Sequence, residues 1–329
     1  MFKYSRTAGI LTAAIFALTW GAPVQAQAIR TWVSGVGDDA NPCSRTAPCK
    51  TFPGAIPKTA AGGEIDVLDP GSFGNATITK SMTIDGSGGS IAGATTSMVN
   101  GFTVNDSGAG TAVVTIRNVS IFGEGFNTAG TPPGVRGIGF SSGAALYVQH
   151  CFIREFRDAT NGTGISFTPS TNSKLFVDDS DITGNGTLGT DGGIVVKPTG
   201  SASAFVVVTR SRIENNAAGI RADSSGTTGT VRGKVSGSEI SGNAFNGITA
   251  ISGTGVATLY VDGDGVAGNL DGLVVNGTAA SLYATQTVVT GNGTGLLLNP
   301  TGHLFTYHTN SVNNNTISDG AFTDVLVPE

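Results

Sequence analysis

Apolar residues along this chain recur in a fixed unit, not in a helical stripe. An aliphatic residue followed three positions later by asparagine appears as Ile182 with Asn185, Ile213 with Asn216, Ile240 with Asn243, Val266 with Asn269, Val289 with Asn292, and Val312 with Asn315. Successive aliphatic anchors lie 31, 27, 26, 23 and 23 residues apart, the differences between those numbers. Two earlier anchors, Ile121 and Ile153, lack the asparagine. Later in each unit Gly precedes an aliphatic residue, as in Gly164-Ile165, Gly193-Ile194, Gly219-Ile220, Gly247-Ile248, Gly272-Leu273 and Gly295-Leu296. Seven and five residues before the anchors stand Leu146/Val148, Leu175/Val177, Val206/Val208, Leu259/Val261, Leu282/Ala284 and Phe305/Tyr307. Apolar residues two apart mark one face of a strand.

Each unit therefore predicts about three short strands, and none can bury its inner face alone. Stacking the units at about 4.8 Å buries a continuous core. The predicted fold is all-β: a parallel β-helix, or solenoid, over residues 63–329, with a cap over 27–62. Val148, Val177, Val208, Val235 and Val261 should form one buried column, and Ile153, Ile182, Ile213, Ile240 and Val266 another. The asparagines should occupy left-handed turn positions and stack their amides as a ladder. Small polar residues two before the anchor, Cys151, Ser180, Ser211, Ser238, Asp264, Thr287 and Asn310, should be semi-buried and mutually bonded. A cap is expected over 51–60, because an open solenoid end exposes strand backbone. A helix there is disfavoured by Pro57, which lacks a backbone donor.

Composition narrows the class. Gly numbers 50 and charged residues make up 12%, which suits tight turns and excludes a solvated disordered chain. Lys3, Arg6, the apolar run from Ala8 to Trp20 and small residues up to Ala26 or Ala28 predict a signal peptide over 1–26. The run is short for a membrane span, so a secreted or periplasmic protein without a transmembrane segment after cleavage is expected. Removing Lys3 and Arg6 leaves 16 basic against 23 acidic residues, a net charge of −7, and no nucleic-acid partner is expected. Cys43 and Cys49 sit close together in an exported chain and predict a disulfide. Cys151 is left over and is expected to be buried and reduced, and no metal site is expected.

The outward positions supply the candidate chemistry. Six before the anchor stand Tyr147, Phe176, Val207, Lys234, Tyr260 and Tyr283. One before it stand Asp181, Arg212 and Glu239, and three before it His150, Asp179 and Arg210. These columns read either as aromatic packing beside a surface ion-pair ladder or as a glycan groove. In the groove, rings stack on sugars and arginines orient carboxylates.

Several segments resemble the pectate-lyase-like superfamily of right-handed parallel β-helices, in particular secreted bacterial right-handed β-helix repeat proteins of unassigned activity. They are the opening from Thr31 to Cys43, Pro48-Cys49-Lys50-Thr51-Phe52 leading to Ala55-Ile56, Gly71 with Phe73-Gly74, and Ile78 to Gly86. The resemblance covers nearly all of the mature chain and implies the handedness of the solenoid. It is specific for fold and weak for function, since this solenoid carries lyases, hydrolases, epimerases and adhesins. Hydrolases of the polygalacturonase kind need an Asp cluster, Gly-His-Gly and Arg-x-Lys. Here Asp178-Asp179 and Arg232-Gly233-Lys234 occur, but the histidines are only His150, His303 and His308, and Gly-His-Gly is absent. Uronate lyases need a cation on acidic oxygens and a Lys or Arg base. Asp178, Asp179, Asp181, Asp262 and Asp264 with Arg210, Arg212, Arg232 and Lys234 supply those types.

Three function classes follow: a non-enzymatic protein that binds polysaccharide or cell-surface material, a lyase or hydrolase acting on an acidic glycan, and a structural or assembly module. The first is favoured. No cofactor is expected, and calcium would enter only with a lyase.

Overall fold

The computed structural model describes residues 27–88, 92–124, 132–299 and 301–327. The expected signal peptide, residues 1–26, lies outside the described residues. The described residues form a right-handed parallel β-helix with three sheets: a long sheet of twelve strands, a second of ten and a third of nine. One coil runs through Ser173–Asp178 in the long sheet, Asp181–Thr183 in the second and Gly192–Val196 in the third. Each strand pairs in parallel with its counterpart one coil on, such as Leu175 with Val206 and Ile182 with Ile213.

The inward columns follow the repeat. Val148, Val177, Val208, Val235 and Val261 are all buried, as are Ile153, Ile182, Ile213, Ile240 and Val266. Burial of each such side chain is worth roughly 1.5–3 kcal/mol. Toward the N-terminus the core is aromatic, with Phe140 stacked on Phe167 at 4.4 Å. In the last coil the expected inward pair Phe305/Tyr307 is wrong. Leu282 pairs with Leu304 and Ala284 with Thr306, so Leu304 and Thr306 point inward and Phe305 points out. The turn to Ser311–Asn313 is one residue longer than in earlier coils, and a one-residue shift exchanges the two faces of a strand.

The asparagine ladder is present and buried. Asn185 donates to Asn216 Oδ1 at 2.9 Å, and Asn216, Asn243, Asn269 and Asn292 repeat the contact down to Asn315. Each Oδ1 also accepts the backbone N–H of the preceding asparagine, as Asn243 accepts from Asn216 at 3.0 Å. The second amide hydrogen reaches an anchor carbonyl one coil back, Asn243 to Ile213 O at 3.2 Å. Asn315 ends the series on Asp319 Oδ1. The left-handed residue is not the asparagine but the one before it: Gly184, Asn215, Gly242, Gly268, Gly291 and Asn314 all have positive φ. The asparagine side chain must turn inward, so the preceding residue makes the bend. Phe156 takes the asparagine position in the coil of Ile153, and its N–H is met by Asn185 Oδ1 at 3.1 Å. The recurring Gly after each ladder position is steric. A Cβ on Gly219 would lie 2.3 Å from Gly247 O and 2.7 Å from an Ile240 methyl.

A second bend, between the long and second sheets, uses left-handed Asn118, His150, Asp179, Arg210 and Gln286. The small polar column follows it. Ser180, Ser211 and Ser238 accept the backbone N–H of Cys151, Ser180 and Ser211. Cys151 is a buried free thiol, its pKa pushed up to about 11 by burial. Asp264 sits inward in this column, 2% exposed, accepting the N–H groups of Ser238 at 2.7 Å and Asp262 at 3.0 Å. Burial pushes its pKa up to about 7 despite those bonds.

At the N-terminal end Cys43 and Cys49 are joined by a disulfide. Contrary to expectation, the cap does contain a helical turn. Thr51 Oγ1 accepts Gly54 N at 3.0 Å and starts Phe52–Ala55, and Pro57 falls within the 3-10 turn Ile56–Lys58 that follows. Pro57 lies in a first turn, where a missing N–H removes no bond. Phe52 closes the core at 5.6 Å from both Phe73 and Phe102. The boundary read at residues 62 and 63 falls inside the strand Thr59–Val67, which pairs with Ala28–Val33.

Two stability tests follow. Asn243→Ala leaves buried donors and acceptors on both sides unpaired and should lower unfolding free energy by about 2–4 kcal/mol; a loss under about 0.5 kcal/mol in denaturant titration would contradict the ladder's role. For Asp264, a carboxyl whose folded pKa is raised stabilises the fold fully below its unfolded pKa of 3.8, and that contribution is lost as pH rises to about 7. Asp264→Asn should therefore raise the melting temperature at pH 8, with the gain shrinking toward pH 4; an equal gain at both pH values would refute it.

Candidate functional site

The outward face of the long sheet is built by alternation: Leu175 and Val177 point in, so Phe176 between them points out. Tyr147, Phe176, Val207, Lys234, Tyr260 and Tyr283 lie in one lateral row, each paired with the next. Phe305 extends the row. The rings form two stacks, Tyr147 on Phe176 at 4.7 Å, and Tyr260 on Tyr283 on Phe305 at 4.6 and 4.5 Å. Planes within 7–17° of parallel mean that neighbouring rings cover one another's faces and turn their edges outward. The free faces are those at the stack ends.

Val207 and Lys234 separate the stacks. Phe176 and Tyr260 stand three coils apart, about 14 Å at the usual strand spacing. Phe205 meets Phe176 edge-on at 6.4 Å and is 44% exposed, and Tyr260 is 47% exposed. The result is a slot floored by Val207 and Lys234, with aromatic ends and Arg232 alongside Phe205. Val231 and Val235 are buried beneath, which fixes Arg232 and Lys234 outward. Lys234 Nζ is 2.7 Å from Asp262.

The other candidate charges are not brought to one centre. Asp178 ends the long-sheet strand and meets Arg210 at 2.5 Å. Asp179, in the bend, meets His150 at 3.2 Å. Asp181 is on the second sheet, where Arg212 grips both its oxygens at 2.8 and 2.5 Å. Those bonds and the Asp181 charge hold Arg212 above its ordinary pKa. Asp264 lies inside the solenoid, away from all of them. The bend divides these residues between two faces, so the acid and base types named from sequence make neighbouring ion pairs instead of one constellation.

Sequence reading passed over a denser cluster at the N-terminal end of the same face. Glu64 and Asp66 alternate outward on Thr59–Val67, and Asp85 pairs with Asp66 one coil on. Arg30 bonds to Asp66, and Arg117 bridges Glu64 and Asp85 at 2.9 Å each. Burial first, then a hydrogen bond and the charge of Asp66, raise the pKa of Glu64. Burial also works against the Asp85 carboxylate, but bonds from Asn118 and Ser87 and the Arg117 charge outweigh it and lower its pKa. The signal was present as Glu64-Ile65-Asp66-Val67, acids alternating with core residues. The three carboxylates offer ligand atoms within 4.8 Å of one another. Arg30 and Arg117 engage all three carboxylates, leaving one negative charge among the five groups. Trp32, paired with Asp66, lies beside the cluster with Arg30 5.7 Å over its ring.

No helix among the described residues is long and apolar enough to cross a membrane. A family model described as "Right handed beta helix region" matches residues 73–263, more than half of the chain. No curated protein matches. Among solved structures, pectate lyase Pel9A aligns with a TM-score of 0.56 at 14% identity, covering 92% of this chain and 80% of that one. A GH136 lacto-N-biosidase from Eubacterium ramulus aligns with a TM-score of 0.47 at 12% identity, covering 91% and 67%. At these identities the likeness is one of fold.

The Arg212–Asp181 pair tests whether the charged columns are more than surface pairing. Both side chains are exposed, and an exposed pair contributes little. Arg212→Ala should leave the melting temperature within about 2 °C of wild type; a larger drop would make the pair structural.

Proposed function

The chain belongs to the right-handed β-helix family, and from that premise we propose that the long sheet's outward face binds an extended glycan without a chemical step. One observation carries this: two ring stacks separated by a slot about three coils long, bounded by Phe176 with Phe205 edge-on to it at one end and by Tyr260 at the other, with Arg232 and Lys234 within it. A sugar unit is close to one coil in length, so a short stretch of a linear polymer fits between Phe176 and Tyr260. The end rings pack against sugar faces, and the cations and the tyrosine hydroxyl take the hydroxyls or carboxylates. Asp179, Asp181, Arg210 and Arg212, paired with His150, Arg212, Asp178 and Asp181 in turn, contribute at its margin. Tyr283 acts by holding Tyr260 in place. We propose further that the protein works after export, a setting in which the Cys43–Cys49 disulfide persists.

Binding without catalysis is favoured because the acids on this face pair with cations, as Asp262 does with Lys234, and Asp264, the carboxyl whose pKa is pushed up to about 7, points into the solenoid and not into the slot. A glycan array with the protein lacking residues 1–26 tests the reading. Wild type should retain at least one polysaccharide, and Tyr260→Ala with Tyr283→Ala should weaken it about tenfold, the scale of one lost aromatic contact, with unchanged circular dichroism. No retention across a broad array would replace this reading with a structural role. Release of unsaturated uronate without stable binding would replace it with a lyase, Arg210 and Lys234 being the first bases to substitute.

A further inference from the structure

The outward face of the second sheet changes abruptly at one coil. Its first positions are small: Ser72 is followed by Gly93 and then Ser120 in one row, with Thr95 in the row beside it. Those two rows continue as Phe152 and as Phe122 and Arg154. The step leaves a hollow of about 360 Å³ floored by Ser72, Gly93, Thr95 and Ser120 and walled by Phe122 and Arg154.

Arg154 is held in an unusual way for this molecule. Its guanidinium carbon lies 4.6 Å from the Phe122 ring centre and 5.1 Å from that of Phe152. Arg30, Arg117, Arg157, Arg210, Arg212 and Arg221 each meet a carboxylate. Arg154 meets none among the described residues, as is also true of Arg45, Arg136 and Arg232, but of these four only Arg154 lies over aromatic rings, and the adjacent Glu155 is taken by Arg157 at 3.0 Å. Aromatic rings against a guanidinium fix its plane and leave its N–H edges as the available donors. That edge is a planar fork, the shape that grips a carboxylate or sulfate through two parallel bonds. Because the rings already order the long side chain, little rotamer freedom remains to be lost on binding.

We propose that this hollow binds a sugar bearing an oxyanion, a carboxylate or a sulfate, with Arg154 holding the charged group and the hydroxyls of Ser72, Thr95 and Ser120 facing the ring. A bare ion would fill little of the space, whereas a single sugar fills a hollow of this size. The side-chain-free surface at Gly93 lets the ring lie flat on the sheet. The site is on a different sheet from the slot between Phe176 and Tyr260 and does not depend on it.

Calorimetric titration of the full chain with a trigalacturonate, a sulfated disaccharide, a neutral trisaccharide and inorganic sulfate, at matched ionic strength, separates the possibilities. At least one acidic sugar should bind, at least tenfold more tightly than the neutral one. Read in a Tyr260→Ala, Tyr283→Ala background that weakens the slot, the acidic sugar should still bind at Arg154. There Arg154→Gln should abolish that binding, and Arg154→Lys, which keeps the charge and loses the fork, should weaken it about tenfold. The Arg154 Nε resonance should shift on addition of the acidic sugar, a readout that a purely structural arginine would not give. Inorganic sulfate that competes as well as the sugar, full binding by Arg154→Lys in that background, or loss of binding in the Tyr260→Ala, Tyr283→Ala background itself would each overturn the proposal. So would a failure of every acidic sugar to bind while Arg154→Gln melts as wild type does.

Discussion

Six successive coils of this protein must bend at the same place, because the side chains folded under the bend are bonded to their counterparts above and below. The buried amides from Asn185 to Asn315 impose that condition. Each needs its neighbour's oxygen at about one coil spacing, and each supplies its own to the next. A coil that bent elsewhere would leave two amides unpaired in the core, which is costly. The close approach at Gly219, the inward anchors and the left-handed residue before each asparagine follow from that single requirement.

With the inside constrained, variation is confined to the outward positions and to the turns. The chemistry therefore appears in rows across the sheets, one residue per coil, and not in loops converging on a point. Rows favour repeated contact along an extended partner. They also let opposite charges in adjacent coils satisfy one another, as Asp178 and Arg210 do, and most of the charged groups named from sequence end in such pairs. The exceptions are where a row is interrupted: at Val207 and Lys234 between the ring stacks, and at the step from Ser120 to Phe152.

Much of the fold was legible because the anchor, the asparagine and the Gly-aliphatic pair report the same inward direction at three points of a coil. What sequence alone misplaced has physical causes. The asparagines were placed in the left-handed position, which belongs to Gly184 and its equivalents, because a spacing pattern does not tell a bend from the side chain folded under it. Phe305 was turned inward because the last turn is longer by one residue, and counting back from Val312 assumes constant turn length. Pro57 seemed to bar a helical cap, but it falls within a first turn. The outward row from Tyr147 to Tyr283 was read in register, yet not that its rings cover one another, since ring orientation depends on rotamers that a pattern does not encode. The Glu64, Asp66 and Asp85 cluster was missed because its coils lack the anchor-asparagine pair by which the others were aligned.

The ladder also has a direction. In the amide-to-amide bonds each asparagine from Asn185 onward donates toward the C-terminal coil and accepts from the N-terminal one, so these bonds line up head to tail along the axis, as peptide units do in an α-helix. The donor end of such a string carries partial positive charge. Asp319 meets it there, accepting both the backbone and side-chain N–H of Asn315. A neutral acceptor would satisfy the same bonds, but a carboxylate also answers the field of the six aligned amides behind it, so the solenoid finishes its polar seam with a counter-charge.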